Sequence, residues 1–235
     1  YPGFPGTACT ALRDMGTRLD LSDESMTEDD MATLGMLFHT NGLPKLRELY
    51  LGDNRFGDAG LIALCAGMIR GIAARDVASS LETIHLGNNQ LGPAGAEALG
   101  AALGRGALPK LERLELQRNA LGSQCITALA PVVRKLPALV HLDLEACNIG
   151  DKAAASLFAG LTKGEFKALT FLDLSRNKLT DEGCATILSS LKQGRLPKLR
   201  DLDLYGNPVT PAPDFECPPA ILEVHAFLSA RDETH

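Results

Sequence analysis

The apolar positions of this chain follow one phrase. Its clearest copy is Leu169-Thr170-Phe171-Leu172-Asp173-Leu174-Ser175-Arg176-Asn177-Lys178-Leu179, or L-x-x-L-x-L-x-x-N-x-L. Leu172 and Leu174 alternate with period 2, which predicts a short strand with one buried face. Asn177 turns the chain out of the strand, and Leu179 returns to the core. Further copies begin at Leu46, Leu81, Leu111, Leu139 and Leu199, so the six starts are 35, 30, 28, 30 and 30 residues apart. A worn copy lies 30 residues ahead, with Gly16, Leu19, Leu21, Glu24 and Met26 in the places of Leu46, Leu49, Leu51, Asn54 and Phe56. A fixed period near thirty predicts a solenoid, here of about seven units.

Between phrases the apolar period becomes helical. Thr27-Glu28-Asp29-Asp30 forms a capping box ahead of Met31, Leu34, Leu37 and Phe38. Later helices are predicted to start near Asp58, Pro93, Ser123, Asp151 and Asp181. A small residue recurs four places after each phrase (Gly60, Gly95, Cys125, Ala153 and Gly183), which predicts close approach of helix to strand. The helices exit through Gly42-Leu43-Pro44, Gly106-Ala107-Leu108-Pro109 and Gly194-Arg195-Leu196-Pro197, where Gly stops the helix and Pro forbids its continuation. The long unit carries its extra residues in Gly71–Ser80, read as a longer helix and loop or as a protrusion that meets a partner. Past Pro208 the period fails. Ile221, Leu222, Val224, Phe227 and Leu228 then make one apolar stripe at helical spacing. The expected organisation is an N-terminal cap segment over 1–15, with a short helix over 7–15, then repeats over 16–210 and a C-terminal cap helix within 211–235.

One strand and one helix cannot bury their apolar faces alone, whereas stacked neighbours bury a continuous core. Asn54, Asn89, Asn119, Asn177 and Asn207 form a ladder whose amides should serve backbone groups that no sheet partner reaches. Cys147 takes the fifth rung, and Glu24 the first, which suggests a partly exposed end unit.

The phrase and its helical second half resemble leucine-rich repeats, in particular the ribonuclease-inhibitor-like subclass. Similar repeats occur in Ran GTPase-activating proteins and in the sensor arms of intracellular immune receptors. The resemblance implies an α/β horseshoe, with parallel strands on the concave face and helices on the convex face. It also accommodates Cys on the ladder.

The net charge of −6, from 23 basic and 29 acidic residues, argues against bulk binding of nucleic acid. No apolar run approaches membrane-spanning length. Cys9, Cys65, Cys125, Cys147, Cys184 and Cys217 form no C-x-x-C pair, and several fall where the repeat buries small apolar residues. That favours a reducing, cytoplasmic setting. The chain begins at Tyr1, which reads as a fragment or a processed product. His39, His85, His141, His225 and His235 are scattered without metal-ligand spacing, and no phosphate-binding G-x-x-x-x-G-K-[ST] occurs. No catalytic residue, metal site or cofactor is expected.

The informative positions are the strand residues that point away from the core. One column reads Asp20, Tyr50, His85, Glu115, Asp143, Asp173 and Asp203. The column before it reads Arg18, Glu48, Thr83, Arg113, His141, Phe171 and Asp201. The column after it reads Ser22, Gly52, Gly87, Gln117, Glu145, Ser175 and Tyr205, and the next carries Arg118 and Arg176. The second half thus gathers Glu115, Asp143, Glu145, Asp173, Asp201 and Asp203, interrupted by Arg113, Arg118 and Arg176. Two readings stay open. Asp between the leucines is common repeat usage, since solvated strand faces are polar. Alternatively the carboxylates form a groove for a basic protein segment, anchored by Tyr50, Phe171 and Tyr205. The expected function is non-catalytic protein–protein recognition on the concave face, through Tyr50, His85, Glu115, Asp143, Glu145, Phe171, Asp173, Asp203 and Tyr205. The alternatives are regulation of a small GTPase, or a structural subunit or sensor arm of a larger assembly.

Overall fold

The computed structural model describes residues 16–73, 80–210 and 218–232. The expected N-terminal cap segment 1–15, most of the insertion after Gly71, Cys9, Cys217 and His235 lie outside the described residues. Strands and helices alternate: β1 (Arg18–Asp20), α1 (Glu28–His39), β2 (Glu48–Tyr50), α2 (Gly57–Ala73), β3 (Thr83–His85), α3 (Pro93–Gly104), β4 (Arg113–Glu115), α4 (Gly122–Val133), β5 (His141–Asp143) and α5 (Asp151–Phe158). There follow β6 (Lys163–Phe166), β7 (Phe171–Asp173), α6 (Asp181–Lys192), β8 (Asp201–Asp203) and α7 (Pro219–Asp232). Seven strands make one parallel sheet in the order β1-β2-β3-β4-β5-β7-β8, and β6 is not part of it.

The register follows the phrase. Leu19, Leu49, Ile84, Leu114, Leu142, Leu172 and Leu202 stand opposite one another along the sheet, and all are buried. Strands in a sheet lie about 4.8 Å apart, while packed helices need about 8–10 Å. Stacking one of each per unit therefore bends the solenoid, with the sheet inside and the helices outside. The core runs continuously between the two layers, from Leu19 to Leu228.

The ladder closes the turns after the strands. Asn119 is 1% exposed, and its Oδ1 accepts the amides of Asn89 (3.0 Å) and Leu91 (2.9 Å) one unit back. Its Nδ2 donates to the carbonyls of Leu86 and Leu116. Asn54 and Asn177 repeat that pattern. Cys147 has no such acceptor, and its thiol donates to the Leu116 carbonyl at 3.2 Å. The Leu121 amide that an asparagine there would serve bonds the Asn119 carbonyl instead. The residue just before each rung lies in the left-handed region, from Asp23 (φ 57°) to Gly206 (φ 73°). The column that carries Arg118 and Arg176 is thereby aimed differently from the strand columns.

A second ladder joins the helix starts, which the sequence reading did not foresee. The Asp58 carboxylate accepts the Gly92 amide (2.7 Å), Ser123 accepts that of Gly150, and Asp151 accepts that of Thr180. This corrects the reading of the small-residue column. A Cβ on Gly95 would stand 2.6 Å from an Asp58 oxygen, and one on Gly183 would collide with Asp151. At these two positions the close approach is to the carboxylate of the preceding helix, whereas Gly60 meets the Phe56 and Met31 side chains.

Three further details differ from expectation. The left-handed stop after α1 is Asn41 (φ 53°), not Gly42, whereas Gly106 and Gly194 adopt it as expected. Helix α5 has only 8 residues, and the chain beyond it runs on as β6 before the next strand. In α7, Ile221, Val224 and Leu228 are buried on the last unit, but Leu222 is exposed because the helix buries a narrower stripe. Helix α2, at 17 residues, is the longest, and its Gly67 meets the backbone of Gly35 in α1.

Candidate functional site

The concave sheet face is built by the outward residues of the strands, and the structure divides it into three parts. In the first, Arg18 lies 4.3 Å over the Tyr50 ring, and the Tyr50 hydroxyl donates to Glu48 at 3.2 Å. Burial and then Glu48 push the Tyr50 hydroxyl above its ordinary pKa. The Tyr50 ring meets His85 edge-on with centroids 6.1 Å apart. His85 in turn bonds the Gln117 amide at 3.0 Å. Gly52 and Gly87 make room for its imidazole, since a Cβ on either would stand within 2.7 Å of the ring. The sequence reading placed those two glycines in the outward column without giving them a role. Their signal was present: adjacent glycines flank the only histidine in a column of polar side chains.

In the middle part, one arginine and two imidazoles converge on Glu115. Arg113 lies 3.2 Å from it, and His85 and His141 each lie 3.9 Å away. The His141 ring stacks flat on Phe171, with centroids 4.2 Å apart. Burial, reinforced by Arg113, lowers the His141 pKa and keeps the ring neutral near pH 7. Glu145 sits between Arg118 (3.7 Å) and Arg176 (3.4 Å). Thus two of the expected acidic residues are compensated by the arginines that interrupt the patch.

What remains acidic is the end of the face. Asp143, Asp173 and Asp203 stand in register on neighbouring strands, with Asp201 beside them. Among the described residues, no ion pair reaches any of these four; those of this half go to Glu115 and Glu145. Burial raises the Asp143 carboxyl to about 6, and the charges of Asp173, Glu115 and Glu145 add to the shift. One oxygen of each aspartate is already used: Asp143, Asp173 and Asp203 accept the amides of Glu145, Ser175 and Tyr205 at 2.8–2.9 Å. That turn-closing bond is the physical content of the repeat-usage reading. The second oxygen is left for the hollow.

The aromatic residues are not equivalent. Tyr50 is engaged by Arg18 and Glu48, and Phe171 is half covered by His141. Tyr205 is 73% exposed. Beside it, β8 and α7 enclose a groove of about 580 Å³ lined by Phe171, Asp201, Asp203, His225 and Leu228. His225 donates to the Leu202 carbonyl at 2.9 Å and so caps part of the last strand's open edge. Among the described residues, no three His, Cys, Asp or Glu side chains are grouped to hold a metal, and no helix is long and apolar enough to cross a membrane.

Repeat, ladder and single parallel sheet together make this fold a leucine-rich-repeat solenoid. The family described as Leucine Rich repeat matches residues 42–65, 77–100, 135–158 and 168–188. Over 107 residues the chain is 36% identical to the Tonsoku-like protein of Bos taurus, a stretch that spans 45% of this chain and 7% of that protein. Two solved structures are also similar. One is Leiomodin-1 Actin-Binding Site 2, at 15% identity and TM-score 0.48, covering 60% of this chain and 80% of that one. The other is the tropomodulin C-terminal domain of Caenorhabditis elegans, at 12% identity and TM-score 0.49, covering 87% and 95%. At those scores neither likeness bears on what this chain binds.

Proposed function

We propose that the chain is a non-catalytic protein-interaction module whose concave face takes a basic segment of a partner protein. The observation that carries this is the uncompensated file Asp143–Asp173–Asp203, open to the hollow beside the exposed Tyr205. Carboxylates at strand spacing offer a cationic chain successive contacts about 4.8 Å apart. Opposite charge on the partner speeds encounter, and an exposed tyrosine adds contact area that slows release. The earlier candidates Glu115, Glu145 and His85 belong to the same face but are held by neighbours, so they shape it rather than supply its charge.

The test replaces Asp143 and Asp173 together by Asn, which keeps the turn bonds and removes two charges. Partners captured by the unaltered protein should be lost or weakened, with association slowed about tenfold at low salt and less at high salt. Charge changes on the convex face, such as Glu97→Gln, should have no effect. If every partner is retained by the double variant and lost by the convex one, the concave reading fails.

A further inference from the structure

The edge of the solenoid where helices hand over to strands carries a charge opposite to that of the hollow. The described connecting segments 40–47, 80–82, 105–112, 134–140, 159–170 and 193–200 hold eleven Lys or Arg against three Glu, in a chain of net charge −6. Two of the three acids are already paired: Glu82 with Arg47 at 3.1 Å, and Glu165 with Arg134 at 2.8 Å. Helix macrodipoles account for Arg105, Lys135 and Lys192 at the C-terminal ends. They do not account for Lys163, Lys167 and Lys198, which follow their helices by five residues or more, beyond the reach of the last turn.

The last two connections hold five of the eleven, and there the fold departs from its own repeat. Helix α5 is a turn shorter than α3, α4 and α6, and the residues released run as β6 along this edge. Beta6 and the next connection enclose a depression of about 340 Å³ lined by Lys163, Lys167 and Arg195. A second depression of about 700 Å³, lined by Lys198 and Arg200 with Asp201, adjoins it at Pro197. Among the described residues, Lys163, Lys167, Arg195 and Lys198 have no carboxylate within ion-pair distance. The Arg195 Nε is buried without a hydrogen-bond partner.

We propose that this basic edge, over residues 163–167 and 195–200, is a second docking surface and that its occupant is an acidic peptide segment of a partner protein. Charge complementarity selects an anionic chain. The absence of an exposed aromatic in the connecting segments, where Phe166 is buried, selects peptide over nucleic acid, since single strands are held by stacking as well as by charge. The first depression is walled by Gly164, Gly194 and Pro197, so backbone can approach closely there. The surface lies off the concave face and does not depend on the reading of that face.

The probe is a short dye-labelled oligoglutamate peptide, followed by anisotropy at low and at physiological salt. Reversal of Lys163, Lys167 and Lys198 to Glu should weaken binding about tenfold, from three lost exposed pairs. A control with the same charge change at the far end of the edge, Lys45→Glu, Arg105→Glu and Lys110→Glu, should change it less than about twofold. The milder Lys163→Gln, Lys167→Gln and Lys198→Gln variant guards against misfolding, and each melt should match that of the unaltered protein. Equal weakening by both triple reversals overturns the proposal, because bulk charge alone would then act. So does no binding at low salt, or tighter binding of a single-stranded oligonucleotide lost in the same variant. Asp143→Asn with Asp173→Asn should not weaken oligoglutamate, which separates this surface from the concave one.

Discussion

Asn119→Ala tests whether the ladder holds the repeats in register. The side chain is buried, and its removal strands the amides of Asn89 and Leu91 and removes one donor from the carbonyls of Leu86 and Leu116. Each buried group left without a partner costs about 1–3 kcal/mol, and partial relaxation of the turn brings the expected total to about 3 kcal/mol. For a chain of this size that is a fall in melting temperature of roughly 6–12 °C. The molecule supplies its own comparison. Cys147 holds a rung without an amide oxygen, and it keeps one bond to a carbonyl while the Leu121 amide of the facing turn bonds the Asn119 carbonyl. Asn119→Cys should therefore cost about 1 kcal/mol less than Asn119→Ala. A solenoid need not melt in one step, so hydrogen exchange is the sharper assay. The Asn89 and Leu91 amides should exchange faster, while those of Glu24 and Met26, which Asn54 serves, should not change. An unchanged melt, or faster exchange spread evenly over all units, would refute the reasoning.

Three further outcomes are expected. The thiols of Cys65 and Cys147, pushed by burial to about 12, and of Cys184, pushed to about 11, should react with a thiol probe only on unfolding; rapid labelling of the native protein contradicts the register. Asp143 binds its proton more tightly folded than unfolded, so its ionisation destabilises the fold above pH 6 and is relieved as pH falls from 6 towards 4. Asp143→Asn should then stabilise by about 1 kcal/mol at pH 7, after allowing for solvent screening, with the gain fading near pH 4 in paired melts. Gly67→Ala places a methyl against the Gly35 backbone and should cost about 1–3 kcal/mol by overpacking, read as a lower denaturant midpoint.

The strand register was legible because each phrase fixes its two leucines and its asparagine at set offsets, and a slip of one residue would turn them outward. The columns read from the sequence are therefore the columns of the sheet. Pairing within the face was not legible. That Glu145 is neutralised follows from the left-handed residue at Arg118 and Arg176, which re-aims those side chains, and spacing alone does not reveal it. Segment β6 was hidden because the phrase carries no information between the end of one helix and the start of the next. The basic edge was legible only in part: Lys45, Lys110 and Lys198 share a recurring Leu-Pro-Lys-Leu, whereas Lys163 and Lys167 lie in a connection unlike the others.

The aspartates show why repeat grammar and binding are hard to separate by pattern. Asp143, Asp173 and Asp203 each close a turn with one oxygen, so stability alone favours aspartate at these places. Their presence is not evidence of a ligand. Asparagine can accept the same amide, however, and it would remove the buried charge, with the repulsion from its neighbours, that raises the Asp143 pKa. Turn closure explains an acceptor and leaves the charge unexplained. The same logic ranks the neighbours. Ser175 and Glu145 have local partners, whereas Tyr205 stands 73% exposed on the concave end, where an ordinary polar residue would be better solvated. Tyr205→Ser should leave the melt nearly unchanged, because it removes no buried contact. If the concave end binds a partner, the same change should raise the off-rate, while the aspartate pair chiefly alters the on-rate. A Tyr205→Ser variant that binds every partner with unaltered kinetics would assign the residue to the surface alone.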